Sequence, residues 1–574
     1  MENFTPRGPL LGYPVMTSLC AVLTAGPSPL SAMLYALAPP GTPSGQHIGL
    51  DGVSLGFVQE VGGRSSGLWT DPASGWTWTG NARLDNREDL RDTLHLPANV
   101  PDAALAYHAF LRFETNALAR IQGDWQFVAW NSRQRKMVVA RDPFGMADLY
   151  YHQSPDRFAC SSLINAVLTL PDLSRQPHWE HLVLSLSHLP APADSTAYRY
   201  VRRLPPGHAL LLTAKNCQLL PYAKIDGDLP LAPGSVDDHQ LQFESSFRLA
   251  VESRIRSVLR PATTLSGGFN SAALTATAAR LLYPSGENLV AFAVAPNLTP
   301  RLTSLAKWHG NLHVRLVSAS LQCPVAAWRS AVVITGSPDC HSHPPWQLPL
   351  LAEAQALGHS ALLIGQGGGA TLAWSGRSPW WRRSWFPSPS SNGPDSLLRA
   401  SFVQDHGFAE LIRHTRRSLA ANPHSRVALL HRNDPFHWSA LAGAHGIQII
   451  DPTLDAAFIH TCLALPPQRF RNRRPLRRAM EGLLPDSIRL HPNHDAISIF
   501  LPTSANAQAA MESFADQGAI TELLDLPRLQ QTLQRLIQSP SQSDYRMVAG
   551  AFSHAFFIRS AAEPRNNLVN RSAA

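Results

Sequence analysis

The residues best equipped for chemistry in this chain of 574 residues lie in Thr263–Ser271, TTLSGGFNS, between an apolar run and a helical one. Gly267 and Gly268 let the backbone approach an anion with no Cβ in the way. Ser266 and Ser271 bring hydroxyl donors and Asn270 an amide oxygen. The N–H groups that open the next helix point at the same spot, because the first turn has no intrahelical acceptors for them. In physical terms this is a pyrophosphate cradle. The plainer reading of the same residues is a strand-to-helix turn.

The flanking elements suit such a loop. DDHQLQFESSFRLAVESRIRSVL reads as a helix, and ATTLSGGFNSAALTATAARLLY as a buried strand, a Gly loop and a helix. LVAFAVAP, LHVRLVSAS and ALLIGQGG are short apolar runs set between helical stretches. That alternation predicts a parallel sheet with crossover helices. After about residue 395 the chain reads as mostly helical. Ahead of residue 225 the character differs. Residues 17–80 read as short strands and turns, with SGLWTDPASGWTWTGNARL as a hairpin. REDLRDTLH and DAALAYHAFLRF read as helices, and strand–turn–strand patterns follow. Stacked sheets flanked by helices are expected there.

Length alone predicts two or more domains. Hydrophobic residues at 44% and charged residues at 16% exclude a disordered chain. The net charge of +8 is spread thinly. Its densest patch, Arg469–Arg478, lacks the interleaved aromatic residues of a single-strand binder, so nucleic acid is not expected. A solvated basic surface is the plain reading of that patch, and a phosphate or acidic-peptide site the sharper one. The six Cys are far apart, which suggests neither a zinc nor a redox motif. The start lacks a signal-peptide pattern, and no apolar run is long enough to span a bilayer. We expect a cytoplasmic protein without a membrane partner.

The first loop resembles Ser-Gly-Gly-x-Asp-Ser, the pyrophosphate loop of the N-type ATP pyrophosphatases. Other segments resemble the asparagine synthetase family, in family order. They are Asn81–Leu90, Gln122–Tyr151, Val201–Leu210, Leu362–Leu372, Gly446–Asp455 and Arg473–Ile488. In detail the chain looks most like the lasso-peptide cyclases, which carry a Gly-Gln-Gly-Gly-Asp loop like Gly365–Gly369 and a His-Pro-Pro segment like His343–Pro345. The resemblance implies an α/β protein. An N-terminal α+β glutaminase-type sandwich, Ntn-hydrolase-like, would precede an adenine-nucleotide α-hydrolase-like parallel-sheet synthetase domain. The expected division is an extension over 1–16, the glutaminase-like domain over 17–225, a linker over 226–240, the ATP-pyrophosphatase domain over 241–560 and a tail over 561–574.

The resemblance also implies a reaction. ATP, with Mg2+, adenylates a carboxylate and releases pyrophosphate; an amine then forms the amide. In lasso cyclases that amine is the N-terminus of a precursor peptide, and a leader-peptide-binding protein and a peptidase are the further partners. By alignment, Leu265, Ser266, Gly267, Gly268, Asn270, Ser271, Val294, Ile364 and Gly365 would contact nucleotide. Gln366, Arg473 and Arg474 would be catalytic. Cys20, Asn81 and Asp124 would be the glutaminase remnant.

Several working residues differ from the family pattern. The glutaminase nucleophile is an N-terminal Cys whose own amino group is its base. Here Cys20 has chain ahead of it, and Ala82 replaces the Gly after Asn81. The two metal-binding Asp of the family are Asn270 and Gly369, followed by Ala370. The later Glu and Arg are Gln448 and Ile450, and the Lys aligns with Arg473 or Arg474. Asp434, Asp451 and Asp455 are candidate substitutes for the lost acids, or simple caps and surface acids. Trp374, Trp380, Trp381 and Trp385, with Arg377, Arg382 and Arg383, suggest a lid, a peptide surface or helix packing. His341, His343 and His437 are the remaining candidate ligands or bases. Three functions share this fold: a lasso-type ligase independent of glutamine, a non-catalytic scaffold, and a glutamine-hydrolysing asparagine synthetase.

Overall fold

The computed structural model describes residues 18–37, 45–58, 65–223, 229–256, 258, 260–294, 299–318, 323–339, 343–372, 397–421, 436–490, 504–515 and 518–562. In the N-terminal half the strands are β1 (Ser18–Thr24), β2 (Gln46–Leu50), β3 (Val53–Val58), β4 (Ser65–Asp71), β5 (Trp76–Leu84), β6 (Gly123–Asn131), β7 (Lys136–Arg141), β8 (Tyr150–Gln153), β9 (Arg157–Ser161), β10 (Arg202–Arg203), β11 (His208–Leu212) and β12 (Cys217–Pro221). They form two antiparallel sheets, in the orders β10-β8-β9-β1-β3-β2 and β12-β11-β7-β6-β5-β4.

Alternation along each strand decides what lies on each face. Leu19 and Ala21 of β1 face inward with Leu55, Val128, Val139 and Leu210, making the core between the sheets. Trp76, Trp78 and Phe127 turn outward onto the helix Asp102–Phe113, whose Leu105, Ala109 and Phe110 meet them. Cys20 and Val22 turn the other way, onto a core shared with helices Leu30–Leu37 and Trp179–Leu186. The half is thus a helix–sheet–sheet–helix sandwich.

The C-terminal half holds the parallel strands β13 (Pro261–Thr264), β14 (Leu289–Ala293), β15 (Leu312–Leu316), β16 (Ala361–Leu363) and β17 (Gln448–Ile450). Their order is β15-β14-β13-β16-β17, and the pairings are parallel. Both faces are covered. Leu289, Ala291 and Ala293 pack under helices Val236–Ile255 and Phe269–Leu282. Phe292, Leu362 and Ile449 pack under helices Pro324–Thr335, Pro344–Ala356 and Phe436–Gly443. Helix Val236–Ile255 starts inside the span read as a linker, with a capping box between Ser235 and Asp238. The C-terminal helices Leu526–Gln538 and Gln542–Ala562 pack on the N-terminal sandwich, sharing a core with Leu182, Tyr198 and Trp328. Among the described residues no helix is long and apolar enough to cross a membrane.

Candidate nucleotide-binding site

Strand order locates the first candidate. From β13 the chain adds β14 and β15 on one side, then crosses to β16 and β17 on the other. The reversal falls between β13 and β16, and ligands of open α/β sheets bind at such a point, outside the carboxyl ends of the strands. Both Gly-rich loops emerge there, since Thr263 pairs with Leu363 in register.

The first loop is held by its own serines. Ser271 Oγ lies 3.1 Å from Ser266 Oγ, accepts from the Ser266 N–H at 3.2 Å and donates to the Gly268 carbonyl at 3.0 Å. Gly267 has φ +77°, a conformation that side chains rarely adopt. Gly268 is the N-cap of helix Phe269–Leu282. Leu265 is buried and its N–H donates to the Phe292 carbonyl at 2.8 Å, while Ser266 is exposed. Val294 follows β14 and is half-buried.

The second loop leaves β16 through Ile364, whose N–H donates to the Ile450 carbonyl at 2.9 Å, and Gly365. Gln366–Gly369 then form a 3-10 turn. Asp451 organises it: one carboxylate oxygen accepts from the Gly367 N–H at 3.1 Å, and the other from the Thr453 N–H at 2.9 Å and the Thr453 hydroxyl at 2.5 Å. Burial raises the Asp451 pKa to about 6 against these bonds. Asp451 and Asp455 are therefore caps, of the turn Pro452–Leu454 and of helix Ala456–Ala464, and both are buried rather than at the surface.

The two loops touch. A Cβ on Gly368 would lie 3.1 Å from Asn270 Nδ2. Asn270 Oδ1 is buried and has no hydrogen-bond partner among the described residues. The N–H groups of the Gly loop and of the helix N-terminus suit a phosphate group, and the unsatisfied Asn270 oxygen, an acceptor, suits the cation or proton that accompanies it. The residues thus fit the phosphates of ATP. They do not fit a protein-held Mg2+, which needs carboxylates. The two family positions give one neutral oxygen and no side chain, and among the described residues no group of three or more His, Cys, Asp or Glu could hold a metal.

The predicted arginines separate. Arg473 is half-buried and takes φ +55° just before helix Arg474–Ala479. Arg474 is exposed and, with Arg469 and Arg478, lines a recess against His239 and Gln240 of helix Val236–Ile255. Arg478 pairs there with Asp237 at 3.1 Å. Arg477 instead stacks over Phe269, 5.2 Å from its ring centre, and donates to the Arg489 carbonyl. Arg474 and Arg478, at i and i+4, share the helix face that lines the recess, whereas Arg477 sits about 100° round the helix from Arg478 and meets Phe269. The contact of Arg477 with Phe269 is not legible in the segment Arg473–Ile488.

The glutaminase remnant is closed. Cys20 is mid-strand, opposite Gly56 and Ser161, with no exposed surface. Burial, and then Cys160 beside it, raise its pKa well above the ordinary thiol value. Asn81 is buried in β5 between Ser66 and Gln126. Asp124 is buried and held in ion pairs with Arg83 at 2.9 Å and Arg254 at 3.0 Å. The four Trp and three Arg after the second loop, His341, Asp434 and the His437 side chain lie outside the described residues. His343 caps helix Pro344–Ala356 and meets Trp346 edge-on at 6.0 Å.

Comparison with known proteins gives the ancestry of both halves. The glutamine amidotransferase domain family matches residues 80–223, and asparagine synthase matches residues 242–552. The chain belongs to the asparagine synthase family. Its relatives include asparagine synthetase [glutamine-hydrolyzing] 3 of Bacillus subtilis, 27% identical over 39% of this chain and 37% of the relative. Another is a Penicillium rubens protein named amidase chyE, 23% identical over 35% of this chain and 30% of the relative. The matches thus span about a third of the relatives' length. A solved glutamine phosphoribosylpyrophosphate amidotransferase of B. subtilis, complexed with ADP and GMP, is 14% identical over 52% of this chain and 81% of that one, with a TM-score of 0.27. A likeness that low carries no argument. The two family matches and the observed layers together give an Ntn-type sandwich followed by a parallel-sheet synthetase-type domain.

Proposed function

We propose that this family member is an ATP-dependent amide-bond-forming ligase that takes its amine from a peptide, in the manner of a lasso-peptide macrolactam cyclase. The observation that carries the ATP part is the meeting of two Gly-rich loops at the sheet's switch point, with Asn270 Oδ1 left unsatisfied between them. The amine part is supported by the closed thiol. Cys20, mid-strand with a raised pKa, is poorly placed to split glutamine, which favours another source for the nitrogen. In the proposed reaction a carboxylate oxygen attacks the α-phosphorus of ATP and pyrophosphate leaves. A peptide amine then attacks the acyl carbon, AMP leaves and the amine proton is lost. A precursor peptide is the substrate, with a leader-peptide-binding protein and a peptidase as further partners. A glutamine-hydrolysing asparagine synthetase ranks lower because of Cys20.

A second reading has its own support. No carboxylate stands at position 270 or 369, and a chain with this fold and without those two metal-binding carboxylates would serve as a peptide-binding scaffold. Calorimetric titration with Mg2+–ATP, of the chain and of an Asn270→Asp, Gly369→Asp variant, separates the two. Micromolar binding by the unmodified chain supports the ligase. Binding by the variant alone supports the scaffold.

A further inference from the structure

An arginine at the seam ties the closed half to the open one. Arg254 lies on helix Val236–Ile255, in the buried stripe of Phe243, Phe247, Ala250 and Val251. A charge there needs partners, and it has them in both halves. Its Nη1 donates to both Asp124 oxygens, at 3.0 and 3.2 Å, and its Nη2 donates to Asp85 at 3.0 Å. Arg83 closes the cluster, donating to Asp124 at 2.9 Å and to Asp85 at 2.6 Å. From the same Nη2 a further hydrogen bond reaches the Leu454 carbonyl at 3.4 Å. Leu454 ends the turn capped by Asp451, whose carboxylate holds the Gly367 N–H. Leu454 also lies against the second loop, so closely that a Cβ on Gly367 would come within 2.5 Å of it.

We propose that Arg254 is a positioning residue for the second loop, and that the N-terminal domain, its own thiol shut in, serves as that loop's anchor through Asp85 and Asp124. The inference rests on reading that loop as part of the ATP site. The fork matters more than the charge: a guanidinium can bond two carboxylates and a carbonyl from one planar group, and an ammonium cannot hold all three in that geometry.

The test is hydrogen exchange on the full-length chain, comparing the unmodified protein with Arg254→Lys, alongside Mg2+–ATP titration of both. The expected result is local. Exchange in 365–371 and 451–455 rises about tenfold or more, while β13 and β14 keep their protection. ATP affinity falls by a similar factor. Unchanged exchange, or a rise spread evenly over the molecule, overturns the anchoring. If Arg254→Lys does not fold, Asp85→Asn removes one partner of Nη2 and serves for the same comparison. Loosened loops in a chain that never bound ATP would leave the anchoring standing and remove the nucleotide reading. Unchanged loops in a chain that binds ATP would do the reverse.

Discussion

The two halves keep their inherited sites in opposite condition. Around Cys20 the space is filled: the thiol lies in a continuous strand between two others, in a core that also holds Val22, Leu182 and Phe556. Between Asn270 and Gly368 the surroundings are Gly-lined, and a buried oxygen goes unsatisfied among the described residues. An unmet buried acceptor costs about 1–3 kcal/mol, so it persists where something else compensates for it. Filling is what packing does to a site that no ligand enters. A Gly-lined notch with an orphan acceptor is what a ligand site keeps.

The sharpest way to break this contrast is to fill the open side. At the φ of +77° that Gly267 takes, a β-branched side chain is strained by roughly 1–3 kcal/mol. Gly267→Val should therefore distort the loop and weaken Mg2+–ATP binding by about tenfold to a hundredfold, measured by calorimetry. Equal affinity in the variant would mean that the loop does not hold phosphate.

The contrast was unevenly visible in the sequence. Period-2 and Gly-loop patterns are local, so the hairpin β4–β5 and the strand–loop–helix around Gly267 could be read directly. Burial of Cys20 followed from its place in an apolar strand. What sequence did not reveal depends on distant partners. Alignment places Asp124 at the glutaminase remnant, but its ion-pair partner Arg254 is 130 residues away and cannot be read from the local sequence. Arg254 did leave a signal, a charge in an apolar stripe, but its acceptors cannot be found without the fold. Arg474 and Arg477 differ by less than a turn, and only packing decides which one meets Phe269.

The seam between the halves gives a pH dependence. His554 is fully buried on the last helix, with Asp339, His181 and His188 among the groups that face it, and Arg546 on the same helix two turns earlier. Burial first, opposed by Asp339, lowers its pKa from 6.5 to about 4. The unfolded chain binds the proton first, so stability rises with pH between those values and is lost as pH falls through them. The shift corresponds to about 3 kcal/mol as an upper figure. Thermal melts from pH 7 down to pH 4 should show the loss, and His554→Leu should shrink it, leaving the share of His188 and His445, which burial also lowers to about 4. A slope unchanged by that substitution would place the acid sensitivity elsewhere.

A smaller effect would sharpen the open side. Asn270→Asp turns the orphan amide oxygen into a carboxylate beside Gly368. It should raise ATP affinity about tenfold in the presence of Mg2+ and not in its absence, because a carboxylate is a ligand that Mg2+ accepts readily. Titrations with and without the metal distinguish this from a general effect of charge. Tighter binding without Mg2+ would mean that the metal does not sit at residue 270.

The smallest expected effect lies on the closed side. Cys20→Ala removes one sulfur from a packed core and should cost about 1 kcal/mol in a denaturant melt, while leaving ATP binding alone. The companion measurement is alkylation. A thiol with no exposed surface and a raised pKa supplies almost no thiolate to react. Native protein should keep Cys20 unlabelled for as long as it stays folded, as should Cys160, whose pKa burial raises to about 12. Both should label once the chain is denatured. If Cys20 reacted in the native chain at the denatured rate, the first strand would have to open in solution. The N-terminal site would then be gated rather than filled, and glutamine would return as a possible nitrogen source.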